Sequence, residues 1–148
     1  MAAPVYATVD DLAAAPWSLD PAPASAERLL ATASRLVRRA TMLARYPVTD
    51  DGLPRDADLA DALRDATCAQ VVAWAATSVD PGTGGYQPAP AAVQSRRIGS
   101  AALTYDTSAA ASVTALNARA AAATSLVDDA LQILADAGLT GHRPGTYR

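Results

Sequence analysis

The stretch Asp58 to Ala76, DLADALRDATCAQVVAWAA, decides how this chain folds. Leu59, Leu63, Ala66, Gln70 and Trp74 recur at three- and four-residue spacing and share one helical face, whereas Asp61, Arg64 and Asp65 fall outside that stripe. After Ala66 the opposite face turns apolar as well, through Cys68, Ala69, Val72 and Ala73. A helix that is apolar nearly all round is buried on several sides, so the second half of this segment is expected at the centre of the fold. Asp56 or Asp58 can cap its start with a carboxylate, and Pro81 and Gly82 lie beyond its end.

Working outward, Thr8, Val9, Asp10 and Asp11 have the pattern of a capping box, which predicts a short helix through Leu12 to Ala15, before Pro16. Trp17 follows as an apolar anchor for a polar arm, and Pro21 and Pro23 mark a linker that closes the N-terminal region, 1–24. Ser25 can cap a helix over 25–45 whose core face is Leu29, Ala33, Leu36, Val37, Ala40 and Leu43. Arg28, Arg35 and Arg39 line another face of it, while the central helix, 56–76, carries Asp58, Asp61 and Asp65. These opposite charges are candidates for pairing, within one subunit or between identical subunits. Pro47, Asp50, Asp51, Gly52 and Pro54 supply the turn between the two helices and predict an antiparallel helical hairpin.

From Asp80 the sequence DPGTGGYQPAP is too rich in Pro and Gly for a regular element, and the segment 80–106 is expected as a long extended loop or short β-hairpin. Within it, Ile98, Leu103, Thr104 and Tyr105 suit a strand that has no partner strand elsewhere in the chain. An extended segment without a partner is either mobile or completed by another molecule. The last periodic stretch, Val113, Leu116, Ala120, Ala123, Val127, Ala130, Leu134 and Ala137, predicts a C-terminal helix over 113–137 with Gly138 as its C-cap. Residues 140–148 then form a tail that holds His142, Arg143, Tyr147 and Arg148.

The totals bound the chemistry. At 148 residues and 51% hydrophobic content, much of it alanine and none of it phenylalanine, the expected fold is mainly α: a single small helical bundle with close-packed helices. The net charge of −3 argues against a protein whose main affinity is for phosphates. One Cys, Cys68, excludes an internal disulfide, and one His, His142, has nothing in its segment to orient it as a catalytic base. One Cys and one His cannot close a zinc site, and Asp50/Asp51 and Asp128/Asp129 lack calcium-loop spacing. Gly82, Gly84 and Gly85 are not followed by a Lys and a Ser or Thr, so no phosphate cradle is expected. No catalytic residue, cofactor or metal is therefore expected. The N-terminus lacks a basic n-region and no uncharged run approaches a membrane span, so the expectation is a soluble protein without membrane contact.

With these elements in order, the chain resembles a known family. The helix LRDATCAQVVAWA (63–75), the Gly/Pro loop, the segment SRRIGSAALTYD (95–106), the Leu-rich helix ending ADAGL (135–139) and the opening YATVDDLAA (6–14) resemble the head-to-tail connector, or adaptor, proteins of tailed bacteriophages, actinobacteriophage members included. The similarity spans nearly the whole chain and rests on the order of loose helical motifs. It implies a structural virion protein at the head–tail junction, assembled in the host cytoplasm as a ring of about a dozen copies beneath the portal protein. DNA would pass through its channel without sequence-specific binding. In such adaptors the loop and terminal arms contact neighbouring subunits, the portal, and stopper or tail-completion proteins. The matching candidate interface residues are Arg96, Arg97, Ile98, Leu103 and Tyr105 in the loop and His142, Arg143, Tyr147 and Arg148 in the tail. The Ala-rich stretch from Ala109 to Ala123 departs from the family pattern and leaves open whether the last helix breaks near Thr124 and Ser125. Two alternatives stand beside this: a stopper or tail-completion protein of the same virion, and a small helical DNA-binding or regulatory protein using Arg28, Arg35, Arg38 and Arg39.

Overall fold

A computed structural model describes residues 2–85 and 108–140, with the backbone alone for 108–112. Five α-helices follow one another among these residues: α1 (Val9–Ala13), α2 (Ala26–Ala40), α3 (Ala57–Thr77), α4 (Ser108–Thr124) and α5 (Asp128–Asp136). A 3-10 turn at Pro81–Thr83 follows α3. The chain is mainly helical, and the one β-type pairing among the described residues is the antiparallel bridge of Val48 with Pro54. The expected segment 93–105 and the tail beyond Thr140 lie outside the described residues.

α3 is the central helix, as its all-round apolar second half requires. Leu63, Ala66, Thr67, Cys68, Ala69, Gln70, Val71 and Trp74 are all buried. It packs against α2 and α5, with α1 resting on α2 and α3. Two apolar clusters divide its faces. Cys68, Val71 and Trp74 meet Leu12, Leu29, Leu30 and Ala33. Leu63, Ala66 and Ala69 meet Val37, Ala130, Leu134 and Leu139. The early residues of α2 thus face the late residues of α3, and Val37 faces the early ones, which makes α2 and α3 the expected antiparallel hairpin. Alanine at so many contact positions lets the helices approach closely, and large side chains such as Trp74 and Leu134 fill what remains.

The helix starts follow from local chemistry. Thr8 and Asp11 form the reciprocal capping box of α1, which spans Val9–Ala13, slightly earlier than the spacing suggested. Asp56 caps α3 by accepting from the amides of Asp58 and Leu59 at 2.9 and 3.3 Å. Ser25 occupies the N-cap position of α2 but makes no side-chain capping bond. Trp17 is half-buried and touches both clusters, the anchoring role expected of it.

The helix ends depart from the sequence expectation in two places. α2 stops at Ala40 instead of running to residue 45, because the Thr41 hydroxyl bonds back to the Val37 carbonyl and Pro47 holds the chain before it extended. Leu43, expected in the core stripe, is 71% exposed. α3 ends at Thr77, within one residue of the expected end and four before Pro81, with Ser78 in the left-handed conformation. The stretch 113–137 is two helices, broken where the sequence left a break open, after Thr124. Thr124 and Ser125 hydroxyls bond back to the Ala120 and Ala121 carbonyls, and the chain turns before Asp128 and Asp129 open α5 with the charge a helix N-terminus favours. Of its predicted stripe, Ala123, Ala130 and Leu134 are buried while Val113 and Leu116 face outward. The end of α5 is as expected. Gly138, at φ +74°, donates to Ala135 while Leu139 donates to Leu134, a left-handed glycine termination.

Cys68 is fully buried, and burial, followed by the charges of Asp11 and Asp65, pushes its thiol up to about 12. It is a packed, unreactive side chain.

Candidate interaction surface

The feature that stands out is how α4 is held. Its C-terminal part is fastened to α3 by three side chains. The Trp74 indole N–H donates to the Ala122 carbonyl at 2.8 Å. The buried Gln70 carboxamide spans the bend after α4, donating to the Ser125 carbonyl at 3.3 Å and accepting from the Val127 amide at 2.8 Å. This is the backbone-satisfying role that a polar residue in an apolar stripe takes. From α4 itself, Arg119 reaches back to the end of α3, donating to the carbonyls of Thr77 and Ser78 at 3.3 and 2.6 Å and to Gly85 at 3.2 Å. Those carbonyls are the acceptors a helix end leaves unpaired, and a guanidinium there also opposes the negative end of the dipole.

Gly85 has to be glycine for this clasp. Its φ is +78°, and a Cβ would run into the Arg119 carbonyl of α4. The loop that leads to it is pinned in turn by Asp80, which takes both guanidinium nitrogens of Arg28 at 3.0 Å and the Gly82 amide at 2.7 Å. The Arg28 pair, followed by the Gly82 amide, holds the Asp80 carboxyl below its ordinary value of 3.8. A carboxylate with a lowered folded-state pKa contributes stability above its unfolded value and loses it as pH falls through the folded value. An Asp80→Asn variant is therefore expected to melt earlier at neutral pH. Below roughly pH 4 its melting temperature should fall less steeply than the parent's, because the titrating group is gone. Parallel melting curves down to acid pH would show that the pair does not couple to folding.

Beyond the clasp, α4 turns its side chains to solvent. Every described side chain from Val113 to Ala118 is exposed, Val113 by 56% and Leu116 by 46%. The helix carries one charge, Arg119, and the clasp consumes it. Among the described residues nothing covers this flank.

The charged candidates separate. Arg28 pairs with Asp80 and with no acid of α3, while Asp61 and Asp65 both pair with Arg64 of their own helix, at 2.9 and 3.2 Å. Arg35, Arg39 and Asp58 are exposed, and none of them forms an ion pair among the described residues. The structure thus brings no α2 arginine to an α3 aspartate within one subunit. Arg96, Arg97, Ile98, Leu103, Tyr105, His142, Arg143, Tyr147 and Arg148 lie outside the described residues. Sequence reasoning missed Arg119, although a lone charge in an otherwise alanine-rich helix is a signal that it has a fixed partner.

At the C-terminal end of α2, burial, followed by the neighbouring Tyr46, pushes the Tyr6 hydroxyl up to about 12. Among the described residues no group of three or more His, Cys, Asp or Glu could hold a metal ion. No helix among them is long and apolar enough to cross a membrane. Comparison with protein-family models, with characterised proteins and with solved structures finds no match to this chain.

Proposed function

We propose that this chain is a structural virion protein, a head-to-tail connector that assembles as a ring beneath the portal and joins the capsid to the tail, leaving a channel for DNA. The order of its sequence motifs supports this, and the observation that carries it in the fold is the exposed flank of α4. A helix with Val113 and Leu116 outward and no charge on that flank leaves apolar surface in water that burial would stabilise. The small, exposed Ala120, which shares that face, suits close approach by another helix. A rigid α1–α3–α5 body with an exposed apolar flank is the form a subunit takes when its neighbour supplies the missing contact. On this reading the protein is not an enzyme, and its partners are copies of itself, the portal protein and a stopper or tail-completion protein.

The test is assembly. Purified protein mixed with portal rings is expected to form a complex visible by electron microscopy and size-exclusion light scattering. A double substitution of Val113 and Leu116 to Asp should abolish it while leaving the helix content of the free chain unchanged, because both side chains are already exposed. No complex with portal rings, with or without residues 140–148, would reject the proposal.

A further inference from the structure

A second surface lies at the opposite side of the chemistry from α4, being charged and aromatic where α4 is neutral. Two hollows, of about 420 and 700 Å³, share Pro4, Arg38, Val48 and Gly52 as a common wall and so form one groove along the turn after α2. At one end stand Arg45, Tyr6 and Tyr46, with Arg38 beside them in the shared wall. At the other stand Asp50 and Asp51, beside the backbone of Ala2 and Ala3. Met42, 73% exposed, lines the basic end.

Neither Arg38 nor Arg45 forms an ion pair among the described residues, in a chain whose net charge is −3. The dipole of α2 accounts for a cation in its last turn, where Arg38 lies, but not for Arg45, which is beyond the helix. Arginine, tyrosine and methionine gathered in one hollow are the residue types enriched at the centre of protein interfaces. Hollows of this size take a few side chains and not a folded domain.

We infer that this groove receives an extended peptide segment of a protein partner, with a carboxylate side chain at Arg38 and Arg45, an aliphatic side chain against Met42, and a basic side chain toward Asp50 and Asp51. Charge complementarity fixes both the occupant and its direction. The two guanidinium groups present forked donors that match a carboxylate. The aspartates at the far end repel a continuing phosphate backbone, which sets a peptide above a nucleic acid. The groove lies apart from the α4 flank, so its occupancy does not depend on ring assembly.

The experiment titrates the full chain, labelled for nuclear magnetic resonance, with an acetylated and amidated peptide Asp-Leu-Gly-Gly-Arg and with its Asn-Leu-Gly-Gly-Arg counterpart. The acidic peptide is expected to shift the amides of Tyr46, Val48 and Gly52 and to bind about tenfold more tightly than the neutral one. Arg38→Gln should remove that preference. Arg35→Gln, which changes an exposed arginine of α2 that does not line the groove, should keep it and controls for net charge. Equal binding of the two peptides, shifts confined to other residues, or displacement of the peptide from these amides by duplex DNA would each overturn the inference. Because Met42 is already exposed, Met42→Ser keeps the fold intact and should weaken the acidic peptide; unchanged affinity in that variant would remove the aliphatic contact from the assignment.

Discussion

Replacing Trp74 by alanine is expected to cost about 3–5 kcal/mol of stability, the largest effect of any single truncation in this chain. The side chain is 1% exposed and is the largest fully buried one among the described residues, so its removal leaves a cavity between α2, α3 and the end of α4 that the packed helices do not close. Its indole N–H also ties α4 to α3 through the Ala122 carbonyl. Trp74→Phe separates the two contributions. It keeps most of the apolar fill, loses the bond, and should cost about 1–2 kcal/mol. Urea unfolding followed by circular dichroism measures both, since a fluorescence readout would lose one of its two tryptophans. An alanine variant within about 1 kcal/mol of the parent would mean that the core around Trp74 collapses freely, against the packing described.

The second large effect is at Gln70. Gln70→Leu matches the volume but leaves the Ser125 carbonyl and the Val127 amide without their partner, at an expected cost of roughly 2–4 kcal/mol. Gln70→Glu adds a pH signature. One oxygen still accepts from Val127, but the other faces the Ser125 carbonyl and has to carry a proton to donate. Burial and that carbonyl raise the folded-state pKa of the introduced carboxyl. Its stability is then greatest below the unfolded value of about 4.3 and is lost as pH rises through the folded value. A Glu variant as stable at neutral as at acid pH would show that Gln70 does not donate to Ser125.

What could be read from the sequence is what neighbours in sequence decide. The Thr8–Asp11 capping box, the Asp56 cap, the turn chemistry of 47–54 and the all-round burial of α3 after Ala66 all follow from residues within a few positions of one another. The break between α4 and α5, which the sequence left open near Thr124 and Ser125, is not decided by such neighbours. Periodicity carries through it, and the chain turns there because Gln70, more than fifty residues earlier, takes up the backbone groups that the turn frees. The exposure of Val113 and Leu116 was hidden for the same reason, since a stripe drawn through one continuous helix assigns them to the core. Charges were legible as types and not as pairs. Arg28 and the aspartates of α3 suggested each other, whereas the partner of Arg28 is Asp80 in the loop beyond α3. The groove beside Arg38 was not legible at all, because it is assembled from the N-terminal arm and the turn that closes between Val48 and Pro54.

The clasp on the C-terminal part of α4 also has a mechanical meaning. From Ser108 to the bonded Ala122 the helix extends about 20 Å, at 1.5 Å per residue. A load applied along it acts as torque about a fulcrum at Ala122, with the Arg119 guanidinium as the outermost of the three clasp side chains. Whatever grips the helix therefore gains leverage on the bend at Ser125 and on the glycine at position 85, while the α1–α3–α5 body behind the fulcrum stays still.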